Sequence, residues 1–515
     1  MPPPTSTNGL RARLTLLSLA AAVVAGGFWL VLCTIPTLSS RLGLPAGALA
    51  SIAQGPDNTA TAGDVNVVIF VIDTLRADRL NTYGYDRKTT SPNIDALAKE
   101  GVLFERACAP APWTLPSVAS LITSRFPCEH AVLSTRQRFG PGVQTLPERL
   151  KQLGFTTIGL WANAIVGPGL GFDRGYDFYR ESLTNEGRQV SVARRMYPGR
   201  PFFLYVHNIE PHNPEFFAPP HTAGFRDVSK SVRQQIGEHY RQYRTATWLD
   251  FEEGRTAGTT EVTAIQDEHV RGLVALLETY SELYDACVRL ADRRVGSVIQ
   301  TLKDRGEWDN TLFILVSDHG EEMHEHGGWS HDQSVYEELL HVPLIIRFPH
   351  GRHAGQRVKD LVSLVDVMPT VFDALGKPEL ATDARGSSLI PLIEGKVFRD
   401  NLCFYVPSVR HNVMSYYRPW KEQRGDINVV VRRGVWKGIW NVEHDTFELY
   451  DLCSDAGEHS NVAPQHGELV AAMREYAGTW YEDCADPARG EGLVTEAGEL
   501  DEQTLRNLRA LGYVD

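Results

Sequence analysis

Cysteine is scarce here and scattered, seven in 515 residues, which excludes a small scaffold stapled by disulfides. Basic charge is in deficit: 51 Lys and Arg stand against 64 Asp and Glu, a net of -13. With no basic stripe and no nucleic-acid motif, nucleic acid is excluded as a partner. No internal repeat is present. Long apolar runs are also missing, apart from an uncharged, mainly apolar stretch at residues 14–35 that follows Arg11 and Arg13. Roughly 20 residues suffice to cross a bilayer, and the positive-inside rule keeps the arginine end cytoplasmic. The expectation is an uncleaved anchor with everything after Pro36 outside the cytoplasm, periplasmic or extracellular. A cleaved signal peptide and a secreted product are the alternative, although Ala48-Leu49-Ala50, which has the cleavage pattern, lies far beyond the apolar stretch.

What is present is a pair of unbroken apolar runs that each end in an acid. Asn66-Val67-Val68-Ile69-Phe70-Val71-Ile72 leads into Asp73, and Thr311-Leu312-Phe313-Ile314-Leu315-Val316-Ser317 leads into Asp318-His319. Runs of this kind predict strands buried on both faces of a parallel sheet. Open α/β sheets build their sites at the carboxyl ends of such strands. A third segment, Ala111-Pro112-Trp113-Thr114-Leu115-Pro116-Ser117, sets a hydroxyl at a strand-to-helix turn between two prolines.

Taken singly, Asp73, Asp318 and Thr114 read as caps of the turns that follow them. Together they bring two carboxylates, an imidazole and a hydroxyl to one crevice. That set suits a divalent cation, which carboxylate oxygens bind and which lowers the pKa of a nearby hydroxyl. The predicted metal ligands are Asp73, Asp318, His319 and Thr114, around one ion of calcium, manganese or zinc.

In these stretches, and in Ser91-Pro92-Asn93-Ile94-Asp95, residues 205–220, residues 317–343 and Glu448-Leu449-Tyr450-Asp451-Leu452, the chain resembles the sulfatase family of the alkaline-phosphatase superfamily. The resemblance implies a metal-dependent hydrolase of sulfuric or phosphoric esters. The departures are specific. Sulfate-ester hydrolases of the family carry a Cys or Ser, oxidised to formylglycine, within a Cys/Ser-any-Pro-Ser-Arg pattern. Here Thr114 holds the nucleophile position, Pro116 and Ser117 match, and Val118 replaces the arginine. The β-methyl of threonine bars that oxidation, so no formylglycine is expected. Thr114 instead resembles the threonine nucleophile of phosphodiesterases and of phosphoethanolamine or phosphoglycerol transferases in the superfamily. Thr74 stands where many members place a second metal-binding aspartate, and Gln333 where many carry a lysine.

The resemblance also assigns histidines. His212 matches a substrate-contacting position, His331 one near the leaving group, and His130 one bordering the nucleophile. Either His212 or His331 suits protonation of a departing alkoxide. His207, inside a strand, reads as structural, and His324 and His326, in a glycine-bearing loop, read as solvated. Cys108 with Cys128, and Cys453 with Cys484, are the pairs that an exported protein would be free to bridge, with free buried thiols as the default.

The predicted organisation is an anchor or signal segment (1–38), a tether (39–63), a catalytic domain (64–393), a smaller domain (394–490) and a helical tail (491–515). The predicted fold is α/β: a large mixed, mostly parallel sheet flanked by helices, alkaline-phosphatase-like, with a smaller carboxyl-terminal antiparallel sheet. Residues 218–280 turn polar and weakly periodic, as expected of an insertion near the site. Three functions follow. The first is an ester hydrolase that acts on a small-molecule, glycan or lipid ester, with phosphate or phosphodiester chemistry favoured by Thr114. The second is a membrane-anchored transferase of phospho-alcohol groups onto envelope glycans. The third is a non-catalytic binding protein.

Overall fold

The computed structural model describes residues 65–510, with breaks at 183–185, 215–224, 226–227, 241–270, 397–400, 408–426, 485–491 and 497–501 and at positions 136, 197, 273, 333 and 493. The apolar stretch 14–35, the tether, Gln333 and most of the expected insertion lie outside the described residues. Among the described residues, no helix is long and apolar enough to cross a membrane.

Eight strands form the main sheet: β1 (Asn66–Ile72), β2 (Val102–Cys108), β3 (Thr156–Trp161), β4 (Phe178–Glu181), β5 (Phe202–Asn208), β6 (Thr311–Ser317), β7 (His341–Arg347) and β8 (Gln356–Ser363). Their order across the sheet is β8-β2-β7-β6-β1-β5-β3-β4. Every pairing is parallel except the two made by β7. The predicted strands β1 and β6 lie side by side at the centre, each buried along its whole length. That is what their uninterrupted apolar composition requires, because both faces are covered.

Helices supply the cover. In α1 (Pro92–Glu100), proline opens the helix and Ile94, Leu97 and Ala98 make the buried face, a spacing of three to four residues. In α2 (Thr114–Thr123) all ten residues are buried. The 28-residue α3 (Leu277–Asp304) buries a stripe that includes Tyr280, Leu283, Tyr284, Cys287, Val288, Ala291, Val295, Val298 and Leu302.

The carboxyl-terminal part is a four-stranded antiparallel sheet of β9 (Asn401–Pro407), β10 (Ile427–Arg433), β11 (Trp436–Asn441) and β12 (Thr446–Asp451). A helix, Gly467–Cys484, packs on it through Met473 and Ala477. The tail does not stay apart from the larger body. Val494–Glu496 pairs with Gln137–Phe139, and the helix Glu502–Ala510 buries Leu508 in the main core.

The cysteine pairs suggested by sequence proximity do not form. Cys108 and Cys453 are free thiols, whereas Cys128 is disulfide-bonded. Cys108 ends β2, next to the edge strand β8, where burial pushes its thiol up to about 12 against the pull of Arg432.

Candidate metal and nucleophile site

The parallel strands end on one edge of the sheet, and the polar residues that follow them collect there. Asp73 follows β1, Asn163 lies two residues past β3, His207 is the penultimate residue of β5, and Asp318 with His319 follows β6. Thr114 reaches the same edge from the first turn of α2, six residues beyond the end of β2. Asp73, His207, Asp318, His319 and Thr114 are essentially inaccessible to solvent.

Each carboxylate is held by one oxygen and free at the other. Asp73 Oδ2 accepts from Asn163 Nδ2 at 2.6 Å and meets His207 Nε2 at 3.2 Å. Asp318 Oδ1 accepts the N–H groups of Thr74 at 3.2 Å and His319 at 3.0 Å. Asp73 Oδ1 and Asp318 Oδ2, both buried, have no hydrogen-bond partner. His319 Nε2 lies 3.6 Å from the first and 3.5 Å from the second. Its Nδ1 is 2.8 Å from the Gly320 carbonyl, which only accepts, so Nδ1 carries the proton and Nε2 presents a lone pair. Thr114 Oγ1 is 3.2 Å from that nitrogen.

Two buried anions with orphaned oxygens are costly without a cation between them. Burial pushes the Asp73 carboxyl up, yet the bond from His207 and the neighbouring imidazoles outweigh it and hold Asp73 at about 2. Burial and the Asp73 charge push Asp318 up. The donor set of two carboxylates and an imidazole fits a divalent metal ion with mixed oxygen and nitrogen preference. Asp73, His207 and Asp318 also lie close enough to share an ion. However, an anionic carboxylate only accepts, so His207 Nε2 bonds Asp73 as a donor, and Tyr205 OH at 2.9 Å sits on its Nδ1. His207 is therefore the residue that orients Asp73, a role that metal-site carboxylates commonly need. Asn163 has the same task; from the sequence His207 reads as structural and Asn163 is not singled out.

The histidines expected to serve the leaving group meet in space. His212 and His331 face each other, Nε2 to Nε2, at 3.2 Å, and the His331 ring centroid is 4.7 Å from that of His319. His130 has a different position from the one expected of a reacting group. Its Nε2 lies 3.2 Å from the Pro116 carbonyl and 3.1 Å from Ser120 Oγ, and its Nδ1 accepts the Val132 N–H at 3.0 Å. Both nitrogens are spent on α2 and the loop beneath it, and burial drives its pKa down to about 3. His130 is a neutral brace for α2. Val118, one turn along α2 from Thr114, is fully buried in the apolar core.

His326 is not a solvated loop residue. It stacks on Tyr336 with ring centroids 3.6 Å apart, its Nδ1 lies 2.6 Å from Glu338 Oε1, and its Nε2 lies 3.2 Å from the Glu458 carbonyl. Burial lowers its pKa, but Glu338 outweighs this and lifts it to about 9. This staple belongs to a larger one: Arg432 on β10 and Lys437 on β11 reach Glu337 Oε1 at 2.7 and 3.0 Å. Lys437 also meets Glu458 at 2.7 Å. The short helix α4 (Glu337–Leu340) is thereby fixed against the site, because Gly320 N–H donates to the Leu339 carbonyl at 2.8 Å.

Gly320 has no room for a side chain. A Cβ there would lie 1.9 Å from the Glu338 carbonyl oxygen. Gly320→Ala is expected to cost about 1–3 kcal/mol through overpacking and to displace His319, so both the melting temperature and turnover fall. An alanine variant with wild-type melting and rate would show that the turn after His319 tolerates displacement.

Comparison with known proteins agrees with this architecture. The sulfatase family model matches residues 65–377, and a model for the carboxyl-terminal region of N-sulphoglucosamine sulphohydrolase matches residues 324–477. An N-acetylglucosamine-6-O-sulfatase of Bacteroides thetaiotaomicron is 24% identical over 85% of this chain and 90% of its own length. Arylsulfatase K of Homo sapiens is 33% identical over 37% of this chain and 34% of its own length. A structure solved with its substrate D-glucosamine-2-N,6-O-disulfate bound has a TM-score of 0.62 at 21% identity, covering 83% of this chain and 99% of that one. The phosphonate monoester hydrolase of Agrobacterium radiobacter has a TM-score of 0.56 at 21% identity, covering 85% and 98%.

Proposed function

Given that the chain belongs to the sulfatase family and is an ester hydrolase of that family, we propose that it cleaves phosphorus esters, with unmodified Thr114 as nucleophile. The observation that carries this reading is the Thr114 hydroxyl 3.2 Å from His319 Nε2, beside the two unpartnered oxygens of Asp73 and Asp318. A threonine cannot become formylglycine, and the space one turn along the helix holds Val118 rather than a cation. A threonyl phosphate is hydrolysed by water, whereas a threonyl sulfate lacks the release route that an aldehyde hydrate provides. The phosphonate monoester hydrolases among the structural neighbours share the fold, so this architecture accommodates phosphorus chemistry.

Asp73, Asp318 and His319 would hold the divalent ion, with Thr114 beside it. Such an ion lowers the pKa of the hydroxyl and offsets charge on the ester. The residues do the rest. Thr114 Oγ1 gives its proton to solvent and bonds to phosphorus while the bond to the leaving oxygen breaks. One imidazole of the His212–His331 pair gives that oxygen a proton. The same pair takes a proton from the water that then cleaves the threonyl phosphate, and the freed Thr114 oxygen takes a proton back from solvent, which restores the hydroxyl. Thr114 occupies the first position of α2, where the helix dipole favours an anion.

The test is a panel of an aryl phosphate, an aryl phosphodiester, an aryl phosphonate monoester and an aryl sulfate, each with Ca²⁺, Mn²⁺ or Zn²⁺. Faster cleavage of phosphorus esters supports the proposal, and a preference for the aryl sulfate overturns it. Release of the phenol from the aryl phosphate without equivalent phosphate, accelerated by added alcohols, would assign transfer rather than hydrolysis.

The arginines before the apolar stretch support a membrane anchor with the catalytic part outside the cytoplasm. A phosphatase reporter fused after Asp515 is expected to be active, and the protein to resist salt extraction from membranes. A shortened, soluble exported product would assign the segment as a cleaved signal instead.

A further inference from the structure

Thr74, directly after Asp73, has φ +56°. A β-branched residue occupies this left-handed region only when its surroundings hold it there. Its own side chain does not do so, because Thr74 Oγ1 is buried without a hydrogen-bond partner. Yet the conformation matters to the site. The Thr74 N–H donates to Asp318 Oδ1 at 3.2 Å, and with the His319 N–H on the same oxygen it leaves the other oxygen, Oδ2, without a partner.

Part of what holds the turn comes from outside the sheet. Tyr284, on α3, is fully buried. Its hydroxyl donates to the Thr74 carbonyl at 2.6 Å and accepts the Arg76 N–H at 3.0 Å. One phenol thus closes the backbone on both sides of the turn. The intervening Leu75 N–H donates to Ser317 Oγ at 2.8 Å, so β6 and α3 grip successive peptide groups. The Arg79 guanidinium lies 5.6 Å above the Tyr284 ring and fixes it from one face.

We infer that Tyr284 is a positioning residue for the metal centre: it locks the left-handed turn at Thr74 and, through the Thr74 N–H, sets the orientation of Asp318. The inference rests on the metal reading given above. Tyr284 contacts neither ion nor substrate, so its effect passes through Thr74 and Asp318. A tyrosine that merely fills the core would lose stability on removal of its hydroxyl, with no link to residue 74. A positioning tyrosine loses metal affinity, and only while residue 74 needs to be held. Glycine takes positive φ without steric cost, so Thr74→Gly removes that need.

The experiment titrates the full-length protein with Mn²⁺, Ca²⁺ and Zn²⁺ by calorimetry, with thermal melts alongside, for wild type, Tyr284→Phe, Thr74→Gly and the double variant. Tyr284→Phe is expected to bind about 10-fold more weakly, the lower end of the range for losing an outer partner of a metal ligand. The double variant is expected to match Thr74→Gly. If wild type binds and Tyr284→Phe binds equally well, or the double variant is as weak as Tyr284→Phe, the role of Tyr284 is overturned and the metal site stands. If wild type binds none of the three ions, the metal reading falls and takes this inference with it. Should Tyr284→Phe fail to fold, a folded double variant with the affinity of Thr74→Gly supports the inference, and a double variant that also fails overturns it.

Discussion

Thr114→Ala is expected to lower turnover of the best phosphorus ester by about 10⁴-fold or more, the usual scale for deleting a covalent nucleophile. At about 1.36 kcal/mol per tenfold this is a loss of about 5 kcal/mol in transition-state stabilisation. The fold should survive. Thr114 starts α2 but Trp113 occupies the cap position, so the alanine removes a buried methyl and a hydroxyl and costs about 1–2 kcal/mol of stability. Metal affinity should fall little, because Asp73 Oδ1, Asp318 Oδ2 and His319 Nε2 all remain. Thr114→Ser keeps the hydroxyl and should retain measurable turnover. Rapid quenching with a slow aryl phosphodiester should yield a phosphorylated peptide containing Thr114 from wild type and none from the alanine variant. Efficient turnover by Thr114→Ala would mean that water attacks directly and that the threonine is structural.

The residues legible from sequence were those whose local pattern states their place in the sheet. A β-branched run without polar interruption marks a strand covered on both faces, and the residue just past it must sit at the carboxyl edge. Asp73, Asp318 and His319 were found that way. His207 was read as structural because it falls inside its strand. The register pairs it with Val71, two residues short of Asp73, and its Nε2 bonds the Asp73 carboxylate. Asn163 was not singled out: it caps the short turn that follows it, its Oδ1 accepting the Ile165 N–H at 3.1 Å, while its Nδ2 holds Asp73. Cys108 is the free, buried thiol expected by default, whereas His326 was misread for another reason. The partners of His326 are Glu338 and Glu458, 12 and 132 residues away, and neighbours in sequence are a poor guide to such pairings.

The second large effect expected is at Asp318, where Asp318→Asn should abolish metal-dependent turnover and the stabilisation that the ion confers. Asparagine keeps a carbonyl oxygen for the N–H groups of Thr74 and His319, and replaces the unpartnered Oδ2 with an amide that cannot bind a cation. The change therefore tests the ligand without breaking the hydrogen bonds around it. It also removes one of two buried like charges, since the Asp73 charge is among the causes that push Asp318 up. The metal-free variant should consequently melt no lower than metal-free wild type. The ion separates the two proteins. At a hundred times the dissociation constant it stabilises wild type by about 2.7 kcal/mol, whereas the asparagine variant should show no shift at that concentration. Melting curves with and without Mn²⁺, Ca²⁺ and Zn²⁺ measure both quantities at once. A variant whose melting point still climbs with the ion would place the cation elsewhere. One that turns over substrate at the wild-type rate without any ion would remove the metal from the mechanism, leaving the Asp73–Asp318 pair as an electrostatic feature of the fold.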